Sequence, residues 1–259
     1  MNTGVAAFIL TVSIFAEISG DSNTQGSEIP TDIDITKYYP EECENSMKYP
    51  SDFRFLVWSH HNSLRGVLQM GQEKNGNEKE DNKFPTSSNM GLLKYDCELE
   101  RSALNISRLC QITTEYDFSH LGSNSEIFPL SSTTSALMSS VDDFNSEKNS
   151  EFFERMLNII ETWWSTSKKS PPLENLMPTE KNRPMIPFLQ MANGYATKVG
   201  CAYSICSSSV SSSSDLSAKF VCRYGDQFIS ENKPLYMDGK PCDTCPDSCY
   251  KLDQLCVEA

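Results

Sequence analysis

The sequence predicts an α+β protein stapled by disulfides. Apolar residues recur at helical spacing in the first two-thirds of the 259-residue chain, they alternate in the last third, and ten cysteines follow an apolar N-terminal stretch. Helices first and strands later is the order of a segregated α+β architecture, not of alternating βαβ units.

Val5 to Phe15 is apolar and has the length of a secretory h-region, too short for a membrane span of roughly 20 residues. Ser19 and Gly20 offer a cleavage point, so residues 1–20 are expected to be a signal peptide, although Met1-Asn2-Thr3 carries no Lys or Arg. No later run approaches span length, and no membrane insertion is expected. An even cysteine count in an oxidising compartment reads as disulfides throughout: Cys43, Cys97, Cys110, Cys201, Cys206, Cys222, Cys242, Cys245, Cys249 and Cys256. An extracellular, secreted protein is therefore expected. The net charge of −13 argues against nucleic acid, whose phosphates need clustered Lys and Arg.

Residues 21–49 are polar and read as an extended lead-in. A first helix is expected from Ser51 or Asp52 to about Met70, with Phe53, Val57, His61, Leu64 and Leu68 on one face. Gln72 to Lys83 reads as an exposed loop. A second helix is expected from about Cys97 to Ile112, burying Leu99, Ala103, Ile106 and Cys110. A third, Ser150 to about Thr166, carries the strongest stripe: Phe153, Met156, Leu157, Ile160 and Trp164. The five prolines between Ser165 and Pro187 predict an irregular segment. Lys198 to Cys206 alternates as a strand, and Lys219 to Tyr224 reads as its partner across a serine-rich loop. The segment from Pro241 onward has too few apolar residues for a core and must be held by its cysteines. Cys242-x-x-Cys245 also has zinc-ligand spacing, but in a secreted chain disulfides are the better reading.

These residues resemble the CAP superfamily, also called SCP/TAPS. His61-Asn62-Ser63-Leu64-Arg65 is similar to its His-Asn-x-x-Arg opening. Lys94 to Glu100 with Ala103 resembles its second-helix signature, and Thr197 to Ala202 followed by Val221 to Tyr224 its core strand pair. Lys233 to Tyr236 and Gly239 to Pro246 resemble the hinge and tail of nematode activation-associated, or Ancylostoma-type, secreted proteins, including hookworm proteins that inhibit neutrophils and platelets. The resemblance implies a CAP-type α-β-α sandwich over residues 50–230 with a disulfide-rich hinge and tail over 231–259. It also favours Cys201 paired with Cys222, with Cys206 as a competing partner.

Many CAP domains hold a divalent metal with two His and two Glu, a donor set suited to zinc. Here the positions are degenerate. The second His is replaced by Pro187 in Pro187-Phe188-Leu189-Gln190, one Glu by Thr166 after Trp163-Trp164-Ser165, and the other by Ser125 before Glu126-Ile127-Phe128. His120 is the candidate for the first His. The resemblance therefore implies no metal and no cofactor. His60 and His61 are adjacent on one helix, diverge by about 100° and cannot chelate together. Ser119, His120 and Glu126 make a poor triad, so no catalytic residue is assigned. Asn105-Ile106-Ser107 is a glycosylation sequon whose face on the second helix the sequence leaves open.

A scaffold that keeps its disulfides and loses its metal ligands points to function on the surface. The expected function is a secreted, non-enzymatic protein of a parasitic nematode that binds a host cell-surface protein of integrin type and modulates immunity or haemostasis. Candidate contacts are the acidic run from Asp142 and Asp143 to Glu154 and the loop Gln72 to Lys83, with an acidic side chain completing an integrin metal site. The alternative is an extracellular sterol or lipid carrier, with Trp163, Trp164 and Phe188 lining its apolar surface.

Overall fold

The computed structural model describes residues 35–40, 42–44, 49, 51–77, 82–111, 122–130, 150–207, 216–231, 233–250 and 253–257. The expected signal peptide, His120, Ser119, Asp142 and Asp143 lie outside these residues.

Helix α1 spans Ser51–Gln69, and strand β1 is the two-residue Lys94–Tyr95. Helix α2 spans Cys97–Ser107, strand β2 Ser123–Pro129, and helix α3 Ser150–Trp164. The proline-rich stretch holds short 3-10 turns at Ser165–Lys168, Glu174–Leu176 and Glu180–Met185. It leads into helix α4, Ile186–Ala192, with Pro187 in its first turn, where a missing N–H costs nothing. Strands β3, Lys198–Ser207, and β4, Leu216–Gly225, form the central hairpin. The tail adds β5, Cys249–Tyr250, and β6, Leu255–Cys256. The main sheet has the order β1-β3-β4-β2, with β1 parallel to β3 and the rest antiparallel.

Helix α2 covers one sheet face, and it sits so close to β3 that a Cβ on Gly200 would lie 2.3 Å from Glu100 N. The other face packs against α1 and α3 through aromatic rings. Trp163 stacks on Phe220 at 5.5 Å, Phe152 meets Tyr203 edge-on at 4.8 Å, and Phe53 sits among Tyr49, Phe153 and Tyr203.

Helix α2 corrects the sequence reading. It stops at Ser107, well short of Ile112, and Cys110 adopts a positive φ of 50°. Its buried line is Glu100, Ala103, Leu104 and Ser107, while Cys110 is exposed. The helix is rotated because Glu100 is drawn inward by Arg54, whose Nε and Nη2 donate to its carboxylate at 2.8 and 3.0 Å. Both side chains are buried, at 1% and 0% exposure.

Because β1 is so short, the edge of β3 beyond it needs other partners. Two phenols supply them. Tyr49 Oη accepts from Tyr203 N and donates to Tyr203 O, at 3.1 and 2.8 Å. Tyr95 Oη accepts from Cys201 N and lies 2.9 Å from Cys201 O and 2.8 Å from Glu100 Oε2, so its one proton serves either acceptor. Backbone groups that would otherwise form an open edge are satisfied in this way.

Five disulfides use all ten cysteines: Cys43–Cys97, Cys110–Cys206, Cys201–Cys222, Cys242–Cys249 and Cys245–Cys256. Residues Asp34–Ala259 cluster as one unit, so the tail belongs to the same body as the sandwich. Cys256 N donates to Met90 O, Leu92 N to Cys256 O, and Thr244 N and Oγ1 both to Ser88 O.

Candidate functional site

The degenerate positions do not converge. Asn124 donates to Pro187 O at 2.9 Å and Phe128 packs on Phe152, so even-numbered residues of β2 face α3 and α4. Alternation then turns Ser125 to the opposite face, toward α2. Glu126 shares a face with Asn124 and Phe128 but is exposed.

Thr166 and Pro187 are neighbours whose polar atoms are already used. Thr166 Oγ1 donates to Trp163 O at 2.7 Å and accepts from Phe188 N at 3.1 Å. Thr166 is 4% exposed, and Pro187 supplies only a backbone carbonyl, taken by Asn124.

Between α1 and β2 runs a directional hydrogen-bond chain. His61 Nδ1 lies 2.8 Å from Val57 O, a pure acceptor, so Nδ1 carries the proton. Nε2 is then an acceptor and receives the Tyr224 hydroxyl at 3.1 Å. Tyr224 accepts from Asn124 Nδ2 at 3.2 Å, Asn124 Oδ1 accepts from Gln190 Nε2 at 2.6 Å, and Gln190 Oε1 accepts from Gly122 N. Burial, helped by the neighbouring His60 and Arg65, lowers the His61 pKa to about 3 against the Val57 hydrogen bond, which raises it, so the ring is neutral at physiological pH.

His61 also lies with Cys201 and Cys222 so that one nitrogen and two sulfurs fall within 4.8 Å of one another. The sulfurs are joined to each other, which leaves no thiolate to ligate a metal. Cys242 and Cys245 of the zinc-spaced pair are likewise bonded, to Cys249 and Cys256.

The rest of the His-Asn-x-x-Arg motif is structural too. Asn62 accepts from Leu93 N and donates to Leu93 O and Trp58 O. Arg65, fully buried, donates to Gly91 O, Met191 O, Asn193 O and Ala196 O, which ties two stretches of chain, at Gly91 and at 191–196, to α1. Burial lowers its pKa to about 9, still charged at neutral pH.

Residues 58–224 match the model of the cysteine-rich secretory protein family, CAP. The chain belongs to that family. Its CAP sandwich resembles the zinc-bound crystal structure of NaASP2, with a TM-score of 0.58 at 25% identity over 83% of this chain and 100% of that one. It also resembles the hookworm platelet inhibitor, with a TM-score of 0.52 at 21% identity over 83% of this chain and 95% of that one. Among curated proteins it is similar to the Ancylostoma secreted protein of Ancylostoma caninum, 24% identical over 83% of this chain and 46% of the other. Venom allergen 5 of Tityus serrulatus is 22% identical over 76% of this chain and 42% of the other. The chain spans less than half the length of both curated relatives.

Sequence reasoning placed His61, Arg65, Gln190, Asn124 and Tyr224 in family segments but gave no role to Asn124 and Tyr224, which complete the network. It also missed the Arg54–Glu100 pair, since an acidic residue in a helix reads as exposed until its partner is known. The described part of the loop Gln72 to Lys83, residues 72–77 and 82–83, is more anchored than expected. Glu73 accepts from Trp164 Nε1 and Ser167 Oγ at 2.8 and 2.9 Å, and Asn75 bonds both backbone groups of Leu173. Trp163, Trp164 and Phe188 are 2%, 4% and 0% exposed, so they pack the core and line no groove. Among the described residues, no helix is long and apolar enough to cross a membrane.

Proposed function

We propose that this CAP protein is an extracellular, non-catalytic binding protein of a parasitic nematode that recognises a host cell-surface protein of integrin type. The observation that carries the reading is the fate of the cavity face. Its side chains bond to one another and to backbone, while the disulfide frame is intact. Groups spent in this way are not available to a substrate, and recognition moves to the surface. The likeness to a hookworm platelet inhibitor supports the direction of the reading.

NaASP2 was crystallised with zinc, which makes zinc the metal to weigh. The residues described here do not fit it. Pro187 has no ligand atom, the Thr166 hydroxyl is committed on both sides, and Ser125 faces away from them. Calorimetry with zinc on the disulfide-intact chain is expected to give no saturable heat.

The direct test is capture of surface-labelled leukocyte and platelet proteins by the refolded chain, repeated with Asp142→Ala/Asp143→Ala. Specific capture of an integrin-type receptor supports the reading. Sterol uptake with no cell binding would replace it by the carrier alternative, which has lost Trp163, Trp164 and Phe188 as lining residues.

A further inference from the structure

We propose that Asn105 carries an N-linked glycan that shields the outer face of α2; this rests on the extracellular reading above. The sequence supplies Asn105-Ile106-Ser107, and the fold decides which way it faces. Helix α2 buries Glu100, Ala103, Leu104 and Ser107 against β3 and β4. The opposite stripe is Glu98, Arg101 and Asn105, all exposed, and the exposed Arg108 and Leu109 follow in the turn past Ser107. Among the described residues the Asn105 amide makes no hydrogen bond and nothing packs over this stripe. Leu109, one turn beyond Asn105, is 61% exposed, the highest value among the exposed large hydrophobic side chains. Leu109 sits in the turn just past the helix, with its N–H donating to Ile106 O at 3.2 Å, four positions on from Asn105 and within reach of a sugar there.

The hydroxyl of the sequon dates the modification. Ser107 is fully buried, with Oγ 2.9 Å from Leu104 O and 2.7 Å from Ser204 Oγ. A transferase that must read that hydroxyl cannot reach it in the folded protein, so transfer precedes docking of α2. Chain order permits this. The strands that receive α2 start at Lys198, and Cys110, just past the sequon, waits for Cys206, 96 residues later.

The donor is a lipid-linked oligosaccharide diphosphate of the secretory pathway. Asn105 Nδ2 attacks the anomeric carbon, the C–O bond to the diphosphate breaks, an N-glycosidic bond forms, and one Nδ2 proton is lost to base.

The test is electrophoresis of the full chain from the medium of cultured insect cells, before and after amidase deglycosylation. One shift is expected, with Asn105 recovered as Asp by peptide mass. Asn105→Gln and Ser107→Ala should abolish the shift and Ser107→Thr retain it. Because Ser107→Ala also removes two buried hydrogen bonds, Asn105→Gln, which touches nothing buried, is the deciding variant. The unglycosylated Asn105→Gln chain should bind more of an apolar dye than the wild type, and Leu109→Ala should reverse that gain. A secreted, unshifted wild type, or a shift that survives Asn105→Gln, overturns the proposal. A parallel chain behind a known secretory leader separates the two readings. A shift only there supports the glycan and overturns secretion by the native N-terminus; no shift there overturns the glycan.

Discussion

Around the sheet the decisive polar contacts run between buried side chains: Arg54 to Glu100, and His61 through Tyr224 and Asn124 to Gln190. In the described tail, residues 235–250 and 253–257, they run from backbone groups and the Tyr236 and Thr244 hydroxyls to the strip 85–92, and from sulfur to sulfur. Cys242, Cys245 and Cys256 pack with Cys249 into a small core of their own, and the strip 85–92 takes its hydrogen bonds. The first region has volume to bury side chains and uses it. The second is too small for that and relies on covalent links, as expected for a short segment. Substitutions should therefore act globally in one region and locally in the other.

The largest effect is expected at Glu100. Glu100→Ala leaves the Arg54 guanidinium buried without its carboxylate, and breaking a buried pair on one side costs about 3–5 kcal/mol. Urea unfolding followed by tryptophan fluorescence reads it, since Trp58, Trp163 and Trp164 are all buried in the sandwich. A loss under about 1 kcal/mol would mean that the pair is not what fixes α2 to α1.

Removing the tail disulfide Cys245–Cys256 by double serine substitution comes next. It closes a loop with a sequence separation of 11, for which chain entropy gives about 2–3 kcal/mol. That loss should be local. Limited proteolysis should cut between 240 and 257 while the fluorescence midpoint of the sandwich moves less than in Glu100→Ala. Equal collapse of both regions would erase the distinction between them.

The same distinction explains what the sequence could disclose. Helices α1 and α3 were legible because their buried faces are apolar and periodic, and the β3–β4 hairpin because it alternates. Strand β2 was not, since Ser123, Asn124, Ser125 and Glu126 carry no apolar signal and are a strand through pairing with β4. Helix α2 was misphased by one polar residue, Glu100, whose burial depends on an arginine 46 positions away. For the site, that Pro187 and Thr166 offer neither an imidazole nor a carboxylate could be read directly. That Ser125 faces the other side could not, because the face of a strand depends on its register.

A third prediction concerns acid. His61 is held neutral with a pKa of about 3, while an unfolded histidine titrates near 6.5. The unfolded chain therefore binds the extra proton first. Stability is fully present above about pH 6.5 and falls at about 1.4 kcal/mol per unit below it, or about 2 kcal/mol by pH 5. His61→Gln should lower stability at pH 7 but flatten this slope. A wild-type slope unchanged by the substitution would place the acid sensitivity elsewhere.

The smallest effect has the opposite sign and sits in the tail. Asp253 lies in the β5–β6 turn against α1, where a Cβ on Gly66 would come within 3.1 Å of the Asp253 Cβ, and Gln69 donates to the neighbouring Gln254 O. Burial against the helix raises its carboxyl to about 6. The folded tail then keeps a proton between about pH 4 and 6 that the unfolded chain has released, so docking is tightest below about pH 4 and weakens as pH rises through 6. The group is partly solvated and screened, and the expected contribution is on the order of 1 kcal/mol. Asp253→Asn removes the ionisation. Amide exchange of Leu255 and Cys256, compared between wild type and variant, should show tail opening that rises with pH only in the wild type. A sandwich that loosens in acid and a tail that tightens in acid would confirm that the two regions are held by different groups. Parallel slopes in both would make Asp253 a reporter of global unfolding and merge the regions into one cooperative unit.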